Sequence, residues 1–257
     1  MALQLIVTRP AAQAVDWIRQ FSALGLAAHA LPLIRIEPAA DPAPLIAAWQ
    51  RLSSYRLVMF VSSNAVDHFF AAGVGVAVWP GEVRAGATGP GTSSALRRAG
   101  VPPPLLVEPD ADSGQFDSEA LWAQLQAMPW AGRRALVVRG EGGRDWLADV
   151  LRENGAHVDF VVAYRRVAPQ LDPAGQHLLA AALRGPAAHL WLFSSSEAVA
   201  NLRTLVPDAD WSRSLALASH PRVAQAARGL GFGDVRVAAP SVQAVVHCVA
   251  GLASTGW

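Results

Sequence analysis

Six short clusters of hydroxyl, amide and guanidinium side chains recur along the chain, each after a short apolar run. They are Thr8-Arg9-Pro10, Ser62-Ser63-Asn64, Thr88-Gly89-Pro90-Gly91-Thr92, Arg139-Gly140-Glu141-Gly142-Gly143-Arg144, Ser194-Ser195-Ser196 and Ser219-His220-Pro221-Arg222. At the carboxyl ends of parallel strands, helix N-termini and free backbone N–H groups favour anions. Capping explains any one cluster, because Ser, Thr and Asn cap helices without a ligand. Six clusters in equivalent places favour a large polar anionic ligand.

Other kinds of site fit these residues poorly. The cluster from Arg139 to Arg144 has neither the Lys-Ser/Thr of a phosphate loop nor the G-x-G-x-x-G spacing of a dinucleotide fingerprint. His220 has no histidine, cysteine or acidic neighbour at metal-ligand spacing, so we expect no metal site. No G-x-S-x-G elbow surrounds a serine, which argues against a serine hydrolase.

Tyr164 is one of two tyrosines, Tyr55 being the other. We expect Tyr164 to end its strand and to point towards a cleft between two domains. The alternative is an ordinary strand aromatic with a solvated hydroxyl. Both interpretations remain open on the residues alone.

The chain repeats itself at an offset of about 130 residues. The matching segments keep the same order, and Gly25 matches Gly155 in the same way. They are Ile6-Val7-Thr8-Arg9 with Leu136-Val137-Val138-Arg139, Phe60 to Val66 with Phe193 to Val199, and Thr88-Gly89-Pro90 with Ser219-His220-Pro221. Four matches in order indicate an internal duplication.

Each copy alternates short apolar runs with amphipathic segments, which predicts parallel strands with helices on both faces. The first-copy strands are predicted at Leu3–Thr8, Ala27–Ile34, Leu57–Val61, Val83–Ala87 and Leu105–Glu108, and the second-copy strands at Ala135–Arg139, His157–Tyr164, Leu190–Phe193, Leu215–Ala218 and Val235–Ala238. A helix is predicted over Asp145–Asn154, with Trp146, Leu147, Val150 and Leu151 on the buried face and Gly155 as its stop. Five strands per copy fit two flavodoxin-like layers that face each other across a cleft.

Two proline-rich segments, Pro38 to Pro44 and Ala168 to Pro173, each follow the second strand of a copy. Such segments are typical of linkers. Their equivalent positions suggest that the chain crosses between two domains twice.

The composition indicates a globular protein with a net charge of +1, which argues against a nucleic-acid-binding stripe. All 21 basic residues are arginine. This reflects either a GC-rich genome or selection for forked recognition of carboxylates. Cys248 is the single cysteine, so no disulfide can form within one chain. We find no signal peptide and no membrane span, and therefore expect a cytoplasmic protein.

Several of these motifs resemble the uroporphyrinogen-III synthase family, and the resemblance runs over nearly the whole chain. The strongest stretch runs from Leu136 to Arg144 and continues through Leu147, Leu151 and Gly155 to Tyr164-Arg165-Arg166. The family's serine-bearing turn resembles Ser62-Ser63-Asn64-Ala65-Val66, and its glycine–threonine turn resembles Ala87 to Thr92. Phe116-Asp117-Ser118-Glu119-Ala120-Leu121 resembles a segment that opens another helix.

The resemblance implies two flavodoxin-like domains, each with a five-stranded parallel sheet, joined by a two-stranded linker. It also implies that the first βα unit is exchanged between the two halves. Residues 1–34 and 169–257 would then form one domain, residues 39–164 the other, and residues 35–38 and 165–168 the linker.

The substrate that the resemblance implies is hydroxymethylbilane, a linear tetrapyrrole with eight carboxylates. The family's enzymes close it into a ring, invert ring D through a spiro intermediate and release water. The resemblance implies no cofactor, a monomer and, at most, transient contact with hydroxymethylbilane synthase. Neither a nucleic acid nor a membrane is expected as a partner.

The resemblance assigns Tyr164 to assist departure of the hydroxyl group, because a phenol stays protonated at neutral pH. Backbone amides after the strands, with Arg9, Arg139 and Arg144, would hold the carboxylates. The other implied contacts are Thr8, Ser62, Ser63, Asn64, Thr88, Gly89, Thr92, Gly140, Ser194, Ser195, Ser196, Ser219, His220 and Arg222. Ser219-His220-Pro221-Arg222 stands where many members have a Gly and a Thr, which leaves the roles of His220 and Arg222 open.

Two other classes of protein share this architecture. A clamshell binding protein for a small polar ligand usually needs export, and no export signal is visible. A nucleotide-sugar transferase usually has a longer chain and an acidic diphosphate or metal site, which the sequence does not offer.

Overall fold

The computed structural model describes residues 3–73, 78–110 and 117–254, and the fold is given for these residues. Phe116, which opens one of the motifs above, lies outside them. The described strands are β1 Gln4–Val7, β2 Ala28–Ala30, β3 Arg35–Pro38, β4 Leu57–Phe60, β5 Arg84–Ala87, β6 Leu106–Val107, β7 Arg134–Gly140, β8 His157–Val167, β9 His189–Phe193, β10 Leu215–Ala218 and β11 Asp234–Val237.

Helices alternate with these strands along most of the chain. The described α-helices are α1 Ala11–Ala23, α2 Ala43–Gln50, α3 Ser63–Ala72, α4 Pro90–Arg98, α5 Ser118–Leu125, α6 Trp146–Glu153, α7 Pro173–Arg184, α8 Ser196–Leu205, α9 Pro221–Leu230 and α10 Val242–Ser254. Short 3₁₀ turns precede β4, β6 and β9. The predicted α/β class with parallel strands is confirmed.

The chain divides into two compact units. The first takes its residues from 1–35 and 167–257, and the second from 36–166. In the first unit the sheet order is β11-β10-β9-β1-β2, with parallel neighbours throughout. On one face, Leu5, Val7 and Leu192 pack against Phe21 of α1 and Val245 of α10. The strand residues are apolar on both faces because helices cover both.

The second unit has a six-stranded sheet in the order β3-β8-β7-β4-β5-β6. The strands from β8 to β6 in this order are parallel to their neighbours. One face packs on α2, α3 and α4, and the other on α5 and α6. The edge strand β3 runs the other way, since Ala39 N–H donates to the Ala163 carbonyl while Glu37 pairs with Arg165 at 2.6 Å.

Three predictions about single elements are wrong in part. The strand expected over Ala27–Ile34 is shorter, ending at Ala30, although Leu31 N–H still donates to the Val7 carbonyl and Leu33 N–H to the Thr8 carbonyl. Arg35–Pro38, expected in the two-stranded linker, pairs with β8, so the second sheet has six strands where five were predicted. Trp146 is exposed at the start of α6, although Leu147 and Leu151 are buried as expected. Gly155 adopts the positive φ, 85°, expected of the stop.

A β-bulge aims the Tyr164 side chain. The register between β7 and β8 pairs Arg139 with Val162 but Gly140 with Tyr164, so Ala163 is the extra residue. Before the bulge, Phe160 faces the α5–α6 side and Val161 the opposite side. Strict alternation would place Tyr164 with Phe160, and the bulge moves it to the face of α3.

Gly140 makes room for the ring that the bulge places there. A Cβ atom on Gly140 would lie 2.8 Å from Cζ and 2.9 Å from Cε2 of Tyr164. These distances are shorter than van der Waals contact, so the ring can lie here only beside a glycine.

A polar cluster of Tyr55, Arg134 and Asp159 lies near the amino ends of the second sheet's strands. The Tyr55 hydroxyl donates to Asp159 Oδ2 at 2.7 Å, and the Arg134 guanidinium donates to the same oxygen at 2.5 Å. Partial burial of Asp159 disfavours its charged form. The hydrogen bonds from Arg134 and Tyr55 outweigh burial and hold the pKa of Asp159 below its ordinary value.

This cluster predicts a pH dependence of stability. A lowered folded-state pKa stabilises the fold above the unfolded pKa of about 3.9, and the contribution is lost as pH falls through the folded value. Asp159→Asn removes the carboxylate and should lower stability at pH 7, with a smaller further loss at acid pH than the parent shows. Urea midpoints at pH 7 and at pH 3 measure both effects.

The control is Asp16→Asn, which removes an exposed i,i+3 pair with Arg19. An exposed pair contributes little, so this variant should follow the parent at both pH values. Equal midpoints for Asp159→Asn and the parent at pH 7 would contradict the role given to the cluster.

Gly140→Ala should destabilise the fold by about 1–3 kcal/mol, the usual cost of overpacking a filled core. Gly229→Ala is the matched control, since a Cβ atom there meets nothing within 4 Å in helix α9. That change should be neutral or stabilising, by up to about 1 kcal/mol. Equilibrium unfolding in urea compares the two, and equal stability would show that the Tyr164 ring does not lie over Gly140.

Candidate active site

The six polar clusters lie at the carboxyl edges of their own sheets. Helices α1, α3, α4, α8 and α9 begin within four residues of the ends of β1, β4, β5, β9 and β10. The cluster from Arg139 to Arg144 spans the end of β7 and the turn into α6. Each unit therefore presents backbone N–H groups and helix N-termini at one edge of its sheet, which is a setting for anions.

Some of the expected ligand side chains cap helices. Ser62 Oγ accepts from Ala65 N–H at 3.2 Å, and Ser195 Oγ accepts from Glu197 N–H at 3.1 Å. His220 Nδ1 accepts from Arg222 N–H at 3.1 Å. Gly89 occupies the N-cap position of α4 without a side chain. The capping interpretation is therefore correct for Ser62, Ser195 and His220. The two serine hydroxyls can still form a further hydrogen bond with a ligand.

Tyr164 lies on the α3 face of the second unit's sheet. Its side chain is only 1% exposed, and its hydroxyl oxygen lies 3.1 Å from Ser62 Oγ. The prediction that Tyr164 ends its strand is wrong, because β8 continues to Val167 beside the edge strand β3. A solvated hydroxyl is also excluded by this burial.

His68 is a neighbour of Tyr164 that the sequence analysis missed. The two rings are nearly parallel, at 21°, with centroids 6.1 Å apart. Burial lowers the pKa of His68, partly opposed by the charge of Asp67, and thereby favours the neutral imidazole. The helical spacing of His68 from Ser62, six residues, gives no sign of this contact. Only the bulge in β8 brings the tyrosine to it.

A second group of expected residues surrounds a cavity of about 230 Å³ on the α5–α6 side of the same sheet. Its lining includes Thr88, Arg139 and Arg144 together with Gly142 and Gly143. Thr88 Oγ1 donates to the Val61 carbonyl at 3.4 Å. The cavity thus combines guanidinium groups, a hydroxyl and glycine backbone at the end of a parallel strand.

Both arginines of this cavity already have carboxylate partners. Arg139 pairs with Asp145 and lies over the Phe160 ring, 4.3 Å from its centroid. Arg144 pairs with Glu119 at 3.2 Å and is well exposed. Nε of Arg139 is buried without a hydrogen-bond partner among the described atoms. A carboxylate ligand would bind these guanidinium groups beside Asp145 and Glu119 or in their place. Without a ligand, the two ion pairs fix the positions of the guanidinium groups.

The remaining expected residues of the second unit differ in accessibility. Ser63 and Asn64 are half-buried in the first turn of α3. Thr92 is 6% exposed and faces the core from α4. Gly140 contributes space for Tyr164. Thr92 and Gly140 therefore contribute to packing beneath the site and do not face a ligand.

In the first unit the structure brings Arg9, Ser194 and Ser219 together around a cavity of about 20 Å³, room for about one water molecule. Arg9 lies over the Trp17 ring at 4.2 Å, and burial lowers its pKa. Thr8 is 1% exposed and its hydroxyl donates to the Leu192 carbonyl at 2.6 Å, a bond that links the end of β1 to β9.

The other expected residues of the first unit differ in accessibility. His220 and Arg222 are exposed at the start of α9. Ser196 Oγ is buried without a hydrogen-bond partner among the described atoms.

Across the described ranges, no three His, Cys, Asp or Glu side chains form a group that could hold a metal ion. None of the helices described combines the length and apolar character needed to cross a membrane. The one cysteine, Cys248, is free and half-buried.

Two solved structures show the same fold over almost the whole chain. One is a mutant uroporphyrinogen III synthase from the extreme thermophile Thermus thermophilus, with a TM-score of 0.57 and 19% identity, covering 99% of this chain and 100% of that one. The other is uroporphyrinogen-III synthetase from Helicobacter pylori 26695, with a TM-score of 0.56 and 14% identity, covering 97% and 99%. At such identities the likeness shows the fold alone.

Sequence comparison identifies the family. The chain is 29% identical over 247 residues to the uroporphyrinogen-III synthase of Escherichia coli K12, and 30% identical over 249 residues to that of Salmonella typhimurium LT2. Each alignment covers 92% of this chain and 95% of the relative. The family model described as "Uroporphyrinogen-III synthase HemD" matches residues 15–247. The chain therefore belongs to the uroporphyrinogen-III synthase family of haem biosynthesis.

Proposed function

We propose that the chain closes hydroxymethylbilane into uroporphyrinogen III, inverting ring D through a spiro intermediate and releasing water. The family match over residues 15–247 carries this proposal. The anion-favouring strand ends of both units agree with a substrate that bears eight carboxylates. The same match leaves no support for a clamshell binding protein.

The reaction begins when the hydroxyl group leaves. Its departing oxygen must gain a proton, and the electron pair of the broken C–O bond goes with it, which leaves an azafulvene cation. The buried phenol of Tyr164 is the proton source that we propose. The substituted carbon of ring D, which is electron-rich, then attacks the methylene carbon of this cation, and the spiro intermediate that forms rearranges to the inverted ring.

The enzyme has to prevent the wrong closure. Hydroxymethylbilane also cyclises spontaneously, to the uninverted isomer, so the protein must hold the chain in a conformation that excludes this path. Orientation effects of this kind contribute roughly 7–11 kcal/mol in favourable intramolecular reactions. The reaction needs only proton transfers and orientation, and we therefore propose that it uses no cofactor.

We propose that the substrate's carboxylates bind at the strand ends of each unit. In the second unit, Arg139 and Arg144 beside Thr88 offer guanidinium groups around a cavity of about 230 Å³. In the first, Arg9 with Ser194 and Ser219 offers one cation and two hydroxyls. The other proposed contacts lie at the N-termini of α3, α4, α8 and α9, and they are Ser63, Asn64, Gly89, Ser195, Ser196, His220 and Arg222.

We propose that the two units are flavodoxin-like domains that arose by duplication. The sheet orders support this. When each strand is numbered by its place within its own copy of the repeat, β2-β1-β9-β10-β11 and β8-β7-β4-β5-β6 both follow the order 2-1-3-4-5 of that fold. Each sheet takes two strands from one copy and three from the other, as an exchange of the first βα unit predicts. The proposed domains are residues 1–34 with 169–257, and 39–164, with 35–38 and 165–168 as a two-stranded linker.

We also propose a monomer that works in the cytoplasm. The free thiol of Cys248 agrees with a reducing compartment. A transient contact with hydroxymethylbilane synthase would shorten the time in which the substrate can close spontaneously.

The first prediction of this proposal concerns the product. Freshly made hydroxymethylbilane incubated with the protein should give mainly uroporphyrinogen III, whereas the same substrate alone gives isomer I. Oxidation to the porphyrins and chromatographic separation of the isomers measures the ratio. Isomer I alone in both incubations would remove the proposed function.

The second prediction concerns Tyr164. Tyr164→Phe should slow formation of isomer III by roughly 10- to 100-fold, at or below the lower end of what a positioned general acid contributes. Isomer III should still exceed isomer I among the enzymatic products, because folding of the substrate does not depend on the phenol.

Tyr55→Phe is the matched control for this experiment, since Tyr55 is equally buried but bonds to Asp159, away from the strand carboxyl ends. It should lose stability and keep the parent's rate once folded. A Tyr164→Phe enzyme with the parent's rate would reduce Tyr164 to a packing residue.

A further inference from the structure

The burial of Tyr164 raises the question of how its proton reaches a substrate. At 1% exposure the phenol has no open path to a ligand of the size of a tetrapyrrole. Buried hydroxyl groups donate to an acceptor within the protein. Among the described residues the hydrogen-bond partner of Tyr164 is Ser62 Oγ, at 3.1 Å, and either oxygen could be the donor.

We assign Tyr164 as the donor in this bond, because the described residues offer its buried proton no other acceptor. A serine hydroxyl has one proton to donate and two lone pairs to accept with. One lone pair receives Ala65 N–H at 3.2 Å, and the other receives the Tyr164 hydroxyl. The proton of Ser62 itself is then unused, and this side chain is half-buried at the carboxyl end of β4, so it can point to a ligand.

We infer that Ser62 makes the catalytic contact and that Tyr164 acts through it. This inference rests on the proposed function. Ser62 Oγ gives its proton to the departing hydroxyl as the C–O bond breaks, and takes the phenol proton of Tyr164 in the same step. Water, the azafulvene cation and a tyrosinate result, so charge and protons balance. The proton that ring D loses when it regains aromaticity restores the phenol by the reverse path.

The surroundings of Tyr164 favour this relay over direct donation. Its ring lies against Gly140 and beside His68, and direct contact with substrate requires the ring to leave both. The N-terminus of α3 also favours the relay, because its Ala65 N–H polarises the Ser62 hydroxyl towards the proton-donating direction.

The test is a double-mutant cycle on the rate of isomer III formation. Ser62→Ala and Tyr164→Phe should each lower the rate by roughly 10- to 100-fold, and the double variant should fall no further, because the two groups act in series. Ser62→Thr, which keeps a hydroxyl and a cap, should retain most of the rate. The parent should show a solvent deuterium isotope effect that both single variants lose.

Ser241→Ala is the control for loss of the cap. Ser241 Oγ accepts from Ala244 N–H at 3.2 Å, the same spacing and distance as at Ser62, and it is exposed at the start of α10. Its rate should equal that of the parent. A Ser62→Ala enzyme with the parent's rate, or a double variant whose loss is the product of the single losses, would overturn the relay. The isomer assay on the parent tests the proposed function separately, because it does not depend on either residue.

Discussion

Parallel pairing of strands is the constraint from which the rest of this molecule follows. A parallel sheet needs a crossover between successive strands, and both faces must be covered by helices. Each crossover helix then starts where a strand has ended, so the free N–H groups of the helices gather at one edge of each sheet. The six polar clusters lie at these edges in both units. The connectivity of the chain therefore places anion-favouring backbone N–H groups at these edges, independently of any charged side chain.

The two units use this common edge differently. In the second, the arginines around the larger cavity are held by Asp145 and Glu119, and the opposite face carries the Tyr164, Ser62 and His68 group. In the first, Arg9 lies over Trp17 and leaves room for about one water molecule. The duplicated strands and turns therefore carry different chemistry in each unit. We place proton transfer in the second unit for this reason.

Sequence patterns predicted every described strand except β3, because burial on both faces produces continuous apolar runs. They also predicted helices between the strands, and Gly155 marked the end of α6. Side-chain direction could not be predicted in the same way. The bulge at Ala163 places the Tyr164 side chain on the opposite face of the sheet from the one that strict alternation predicts. No residue type in β8 indicates that a bulge occurs there. Ion pairs such as Arg139 with Asp145 depend on rotamers in turns. The hydroxyl of Thr8 donates to the carbonyl of Leu192, which lies 184 residues further along the chain.

The strand order of the first unit has a consequence for synthesis on the ribosome. Strand β1 pairs with β9, so that Gln4 lies opposite His189, whereas the second unit takes all its residues from 36–166. The second unit can therefore complete its sheet while β1, paired with β2 on one side, still lacks β9 on the other. During that interval the nascent amino terminus carries an open apolar edge, the kind of surface that chaperones protect and that aggregates when left uncovered. Long-range pairing of this kind also slows folding, so the first unit should be the last part of the enzyme to mature.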